Sequence, residues 1–397
     1  MRDIEANHMR PTISLFSGIG GFDYGLEAAG FDIRLCVEPD LECRNSLVLQ
    51  GRRVSEPGDI RQLAPKEALR QAGLSKGELF LLAGGPPCQS FSKAAQWKRA
   101  RPLMADDRGK LVEVYAQYVK DTLPEYCALE NVSGFTSKGG GWDYLRKAFD
   151  EINREAGTSY CLNLWKVNAA HYGVPQQRRR VFVLANREGR ELPQPPETHG
   201  VDPGLKPVFT SWDSIWHLQD KAGPETALSG KWAALMESIP EGENYLYHTD
   251  RGAGVPLFGY RTRFWSFLLK LSKVQPSWTL SASPGPATGP FHWDNRRLSR
   301  REMLRLQTLP EDFPVSADFR TSIRQIGNAV PAALGELVGL QIRAEQRELR
   351  LTPVLSPHPP LASPVAPVPE SYLKLKGEHP AHPGAGKGPG ALSLSTR

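Results

Sequence analysis

The feature that most constrains the fold is a rhythm in the first half of the chain, where short apolar runs alternate with helix-like stretches. "TISLF" (12–16) passes through a glycine-rich turn into "FDYGLEAAG", and "FDIRLCVE" (31–38) is followed by "DLECRNSLVLQ". "ELFLLAGG" (78–85) precedes the helical "GKLVEVYAQYVKDT", and "EYCALENV" (125–132) comes next. Alternation of this kind is the pattern of βαβ units and predicts an α/β fold, a doubly wound sheet with helices on both faces. "YCLNLWKVNA" and "RRVFVLANR" supply further strands. Open sheets of this class bind ligands outside the carboxyl ends of their strands, so the residues that end each run are the ones to inspect.

The texture changes near residue 191, where "ELPQPPETHGVDPG" breaks any regular element and predicts a domain boundary. From there to about residue 295 the chain is irregular and rich in Trp, Gly and Pro. Helical pattern returns at "LSRREMLRLQTLP" and at "NAVPAALGELVGLQIRAEQRELR". The organisation predicted is a domain over 11–190, completed by 322–350, a smaller irregular domain over 191–321, and a Pro-rich tail, 351–397, that lacks an apolar period and reads as disordered. The five cysteines, Cys36, Cys43, Cys88, Cys127 and Cys161, are an odd number, lie far apart and show no CxxC spacing. That argues against a disulfide framework or a structural metal and for a reducing cytoplasm. The charged start "MRDIEANHMRPTIS" is not a signal peptide, and no apolar run approaches membrane-spanning length. A net charge of +6 permits a polyanionic partner without requiring one.

Six stretches carry candidate chemistry, most of them at strand ends. In "LFSGIGGF" (15–22), Gly18, Gly20 and Gly21 allow a bound cofactor to approach the backbone, and Phe16 can lie against an adenine-like ring. The same turn also serves tight strand–helix packing, and its spacing is not the GxGxxG of dinucleotide folds. Glu38 ends the next strand about twenty residues on, the position that bonds ribose hydroxyls in such folds. Asp59 of "PGDI" can accept from an exocyclic adenine amine or simply cap a turn. "GGPPCQSFS" (84–92) stiffens the exit from its strand with Pro86 and Pro87 and then presents Cys88. Glu130 of "ALENV" falls at the same edge, where a partly desolvated carboxyl can pass a proton to a ring nitrogen. "VPQQRRRVFVL" (174–184) starts a strand with three arginines; alternation sends Arg178 and Arg180 to one face and Arg179 to the other.

In this order, the Gly-rich turn, acidic strand end, "GD", "PPCQ", "ENV" and "QxRxR" resemble the cytosine-C5 DNA methyltransferase family. "DDRGKLVEVYAQYV" (106–119), "RRLSRREMLRLQTLPEDF" (296–313) and "IGNAVP" (326–331) resemble further parts of its signature, the second of these the helix that supports its target-recognition domain. The resemblance runs over about residues 12 to 345; residues 191–295, matching no general pattern, take the place of the variable recognition region.

The resemblance implies a Rossmann-like sheet that binds S-adenosylmethionine, with no metal. It also implies methylation of C5 of a flipped-out cytosine in double-stranded DNA through a covalent adduct of Cys88 with C6. Glu130 would engage N3 and the 4-amino group, Arg178 the O2 side, and Arg180 would orient its neighbours. Phe16, Gly18, Gly20, Gly21, Glu38, Asp59, Ile60, Pro86, Leu111 and Asn328 would line the cofactor site; Pro39 stands where the family often has an aromatic residue. Residues 87–107 would close on the base, with Gln89 or Ser92 entering the gap and Lys93 and Arg99 on phosphates. Arg261 and Arg263 of "GYRTRFWSF" would read bases, and Trp265 and Phe267 either join them or serve as core. An RNA-directed relative carries a "CFT" tripeptide that is absent here, which favours DNA. The implied context is a monomeric bacterial modification enzyme, in the cytoplasm at the nucleoid, paired with a restriction endonuclease.

Overall fold

A computed structural model of the chain describes residues 10–87, 110–137, 140–260 and 264–373. Four strands, β1 (Pro11–Leu15), β2 (Asp32–Val37), β3 (Leu81–Gly84) and β4 (Tyr126–Asn131), run parallel. β5 (Cys161–Asn168) and β7 (Arg179–Asn186) complete a six-stranded sheet of order β2-β1-β3-β4-β7-β5, in which β7 is antiparallel to both neighbours. The order reverses between β1 and β3, which opens a crevice at their carboxyl ends. Because β7 runs against the others, its first residues lie at the edge where β1 to β4 end.

Both sheet faces are covered. One buries Ile13, Leu35, Leu82, Leu129 and Val183 against α3 (Pro65–Ala72), α4 (Lys110–Thr122) and α5 (Gly141–Ala156). The other buries Ala83, Ala128, Phe182 and Leu184 against α1 (Gly21–Ala28) and a C-terminal helix, Ala332–Arg343. Those two helices approach closely through glycines: a Cβ on Gly25 would stand 1.9 Å from the Ala332 carbonyl oxygen. Polar termini are satisfied locally, as where the Asp40 side chain accepts from Cys43 N–H to start α2 (Leu41–Leu49).

The chain does not leave the sheet layer at residue 191. Trp165 Nε1 donates to the Leu192 carbonyl at 2.7 Å, Lys166 N–H to Gln194 Oε1 at 2.9 Å, and Tyr172 to the Pro195 carbonyl at 2.9 Å. Residues 192–195 thus run beside the edge strand β5, and the change of region falls after His199. Beyond it the structure is mostly 3-10 turns and loops around two apolar clusters, one on Ile215, Leu280, Trp293 and Leu304, the other on Leu235, Tyr245, Leu257 and Phe291. A two-residue strand, β8 (Ser277–Trp278), pairs with β6 (Gln176–Gln177) and ties this lobe to the sheet edge. The supporting helix is short: α6 (Ser211–Ile215) precedes α7 (Arg300–Leu306), which a Ser299/Glu302 capping box starts. Next come α8 (Phe319–Asn328) and α9 (Ala332–Arg343).

The Pro-rich tail departs from expectation. Its described part, residues 351–373, lies along the lobe, held at intervals by hydrogen bonds with Trp212, Asp213, Glu237, Glu241, Lys273 and Lys231. No helix among the described residues is long and apolar enough to cross a membrane.

Candidate active site at the sheet edge

The turn after β1 is built for close approach at one glycine. Phe16 takes φ +58, a left-handed conformation that costs a non-glycine residue roughly 1 kcal/mol or more. Gly18 follows at φ +56, and nothing lies within 4 Å of where its Cβ would stand. The other two glycines have different work. Gly20, at φ +81, begins α1 with Leu47, Gln50 and Arg52 against it, and a Cβ on Gly21 would stand 2.7 Å from the Val330 carbonyl. The three glycines thus differ in packing: Gly18 leaves open space, while Gly20 and Gly21 let α1 start against its neighbours.

Glu38 ends β2 beside this turn. Its carboxylate accepts from Gly18 N–H (Oε2, 2.9 Å) and Asp40 N–H (Oε1, 2.9 Å), leaving one lone-pair direction on each oxygen. Burial raises its pKa, against the lowering effect of those two N–H donors. Burial pushes the Asp40 carboxyl up, but the bond and charge of Arg324 together with the Cys43 bonds outweigh it and hold the group below the usual carboxylate range. Asp59 is likewise held low, chiefly by the side-chain bonds of Arg61, and is an ionised acceptor near the surface. Ile60 is buried in the same apolar cluster as Leu63 and Val37. Phe16 and Leu111 are partly buried against that same core, and Asn328 is exposed at the last residue of α8. The open cradle at Gly18, the fixed acid at Glu38 and the ionised Asp59 fit the amino-acid and nucleoside parts of S-adenosylmethionine.

At the centre of the edge, β3 exits through Gly84, Gly85 and Pro86. Gly85 N–H reaches the Leu15 carbonyl at 3.3 Å, and Asn131 Nδ2 donates to the Pro86 carbonyl at 3.1 Å. Asn131 was missed as a functional residue; its place in "ENV", one residue past Glu130, was the available signal. This bond fixes the main chain two residues ahead of Cys88. Cys88, Gln89, Ser92, Lys93 and Arg99 lie outside the described residues, as do Arg261 and Arg263.

Glu130 and Arg180 meet here. Register places Glu130 opposite Phe182 on β7, so Arg180, two residues along on the same face, is its diagonal neighbour. Arg180 Nε stands 2.7 Å from Glu130 Oε1, and a Cβ on Gly85 would stand 3.4 Å from Glu130 Oε2. Arg178 overturns the expectation that it faces the base. It precedes β7, is 2% exposed, and donates through Nη2 to the carbonyls of Gly327 (3.1 Å) and Ala329 (3.0 Å) at the end of α8. A guanidinium there suits the negative end of the helix dipole. Gln307 Nε2 also binds that helix end, at Ile326 O (2.7 Å) and Ala329 O (3.2 Å). The two arginines thus exchange places: Arg180 stands at the acid, and Arg178 joins α8 to the sheet.

A cleft of 810 Å³ lies between residues 280–291 and α8, with Arg297, Arg320 and Arg324 in its wall. Ala282 packs directly on Gly327, where a Cβ would stand 2.6 Å from Ala282 Cα. On the lobe, Trp265 is 41% exposed and packs on Trp278 (4.9 Å between centroids), whereas Phe267 belongs to an aromatic cluster with Trp232 and Tyr245.

Known proteins share this architecture. A sequence profile of the C-5 cytosine-specific DNA methylase family matches residues 11–344. The chain is similar to the Type II methyltransferase M.SacI of Streptomyces achromogenes, 36% identical over 380 residues, with 86% of this chain and 94% of the relative covered. It is also 40% identical over 228 residues to M.AquIA of Picosynechococcus sp., covering 53% of this chain and 90% of that one. Among solved structures, a putative DNA modification methyltransferase encoded within an E. coli prophage superposes with a TM-score of 0.61 at 22% identity, covering 84% of this chain and 98% of that one. The Entamoeba histolytica methyltransferase EhMeth gives 0.58 at 13%, covering 85% and 98%; both likenesses concern the fold. A Rossmann-like sheet with an acid–arginine pair at its ligand edge, matched over nearly its whole catalytic length, places the chain in the C-5 cytosine-specific DNA methylase family.

Proposed function

We propose that the chain methylates C5 of a flipped-out cytosine in a specific double-stranded DNA sequence, as the modification enzyme of a Type II restriction–modification system. The observation that carries this reading is the Glu130–Arg180 pair beside the pinned exit that leads into Cys88. The Cys88 thiolate adds to cytosine C6, and the electron pair displaced toward C5 makes that carbon nucleophilic. Glu130 binds N3 and the 4-amino group as charge moves into the ring. Arg180, aligned by Glu130, offers its guanidinium to the O2 side, and Arg178 acts at a distance by holding α8 and Asn328 against the sheet. S-adenosylmethionine supplies an electrophilic methyl group and leaves as S-adenosylhomocysteine; Gly18, Glu38 and Asp59 would hold it, with Phe16, Leu111 and Pro86 beside it. Loss of the C5 proton then expels Cys88.

The cleft walled by Arg297 and Arg320 suits a DNA backbone, and residues 191–321 supply sequence recognition. The proposed setting is a monomer in the bacterial cytoplasm, matched to a cognate endonuclease. Incubation with a 5-fluorocytosine duplex and S-adenosylmethionine tests the reading, since fluorine cannot leave as a proton does. A denaturation-resistant adduct is expected, absent with Cys88→Ala. No adduct, or an equal one with Cys88→Ala, overturns it.

A further inference from the structure

After α9 the chain crosses the whole recognition lobe. Its point of departure is fixed by Glu336, a fully buried carboxylate on α9 that accepts from the N–H groups of Arg350 (3.0 and 2.9 Å) and Leu351 (3.0 Å). Ser356 N–H then donates to Asp213 Oδ1 at 3.0 Å, and Trp212 Nε1 donates to Ser356 Oγ (2.9 Å) and the His358 carbonyl (2.8 Å). At mid-length lies Lys273, 7% exposed, whose ammonium donates to the Leu361 carbonyl (2.7 Å) and Ser363 Oγ (2.9 Å) and pairs with Glu241 (3.0 Å). Glu241 in turn accepts from Ser363 N–H at 2.9 Å. Ala366 N–H reaches the Glu237 carbonyl, and Tyr372 ends the crossing stacked on Trp232, its hydroxyl 2.6 Å from the Lys231 carbonyl.

Prolines 353, 357, 359, 360, 364, 367 and 369 each remove a donor and restrict the backbone, so less freedom is lost when the segment is laid down. The N–H groups of Ser356, Ser363 and Ala366 meet acceptors in the lobe. The Leu361 carbonyl, Ser363 Oγ and Ser363 N–H complete the hydrogen bonding of the largely buried Lys273–Glu241 pair.

We propose that residues 351–373 are a positioning strap for DNA recognition, with Lys273 as its hub, fixing the lobe against the catalytic edge. The strap does not touch the reacting atoms. This inference rests on the assignment of DNA recognition to residues 191–321. Its test uses the full chain with Tyr372→Ala, Lys273→Met or Ser363→Pro, the last removing one N–H and one hydroxyl. Methyl transfer from labelled S-adenosylmethionine to a duplex carrying the recognised site is measured against both substrates. The expected result is a tenfold or greater rise in KM for DNA and more methylation at near-cognate sites, with KM for S-adenosylmethionine within twofold. Unchanged DNA kinetics in all three variants overturn the strap, as does a parallel loss on both substrates that follows the unfolded fraction. Trp265→Ala, on the lobe's own exposed face, separates the two assignments. If it raises the DNA KM while the strap variants do not, the strap alone fails; if it too is silent, the recognition assignment fails with it.

Discussion

The sheet and the lobe are held together by different means. Around the sheet, backbone ladders set register first and side chains inherit their places from it, as Glu130 and Arg180 do. In the lobe, regular elements are few and short, and side chains reach across long sequence distances to hold loops, as Lys273 does with Leu361 and Ser363. A catalytic pair needs constant geometry, which a ladder provides. A surface that must read one DNA sequence among many is easier to vary when loops carry it.

The largest effect expected to test this contrast lies at the edge. Glu130→Gln should lower kcat by about 10² to 10⁴, with S-adenosylmethionine affinity, measured by calorimetry, little changed. Arg178→Met should instead lower the melting temperature, since three main-chain and side-chain bonds are lost from a buried site. If Arg178→Met kept full stability and lost only kcat, the exchange of roles between the two arginines would be wrong. Gly25→Ala comes next: its Cβ has no room against Ala332, and a loss of roughly 1–3 kcal/mol follows from overpacking. Gly204→Ala in the lobe, with nothing within 4 Å but φ +93, should cost about 1 kcal/mol through backbone strain alone. Equal denaturant midpoints for the two would erase the difference in packing between the regions.

Acidification should separate the two regions by a smaller margin. Burial lowers the pKa of His199, His248 and His292, all in or beside the lobe. Their stabilising effect is complete above the ordinary histidine value of about 6.5 and is lost as pH falls below it, by at most about 1.4 kcal/mol per pH unit for each. Asp23 and Glu38 of the sheet are raised by burial, so they take up protons in the native state before the unfolded chain does. Acidification through that window favours the sheet. Hydrogen exchange at pH 7.5 and 5.5 should therefore show residues 234–248 and 291–299 opening before β1 to β4; uniform acceleration would contradict this. The smallest effect is at the surface, where Asp59→Asn should leave stability within about 1 kcal/mol, as exposed ion pairs contribute little, and weaken S-adenosylmethionine binding severalfold.

The strands were legible because buried apolar runs such as "LLAG" and "YCALEN" carry their own signal. So was the meeting of Glu38 and Gly18 at one edge, which follows from parallel strands ending together. The exchange of Arg178 and Arg180 was not legible, because it turns on β7 starting at Arg179 and on a helix end about 150 residues away. Gly20 and Gly21 look like Gly18 in sequence, and only their neighbours separate them. Residues 351–373 look like disorder in the sequence because an extended Pro-rich segment has no period, and their partners, Glu336, Asp213, Lys273 and Glu241, carry no local mark.

The strip over β5 bears on how such a molecule changes over generations. Residues 192–195 run along the edge strand β5, tied to it at Trp165 and Lys166, before the chain departs at His199. A new reading head could therefore be grafted beyond His199 without exposing a sticky margin, provided the graft brings its own C-terminal segment. A transplant that carried residues 200–321 alone would leave the partners of Asp213, Glu241, Lys273 and Trp232 behind in the donor.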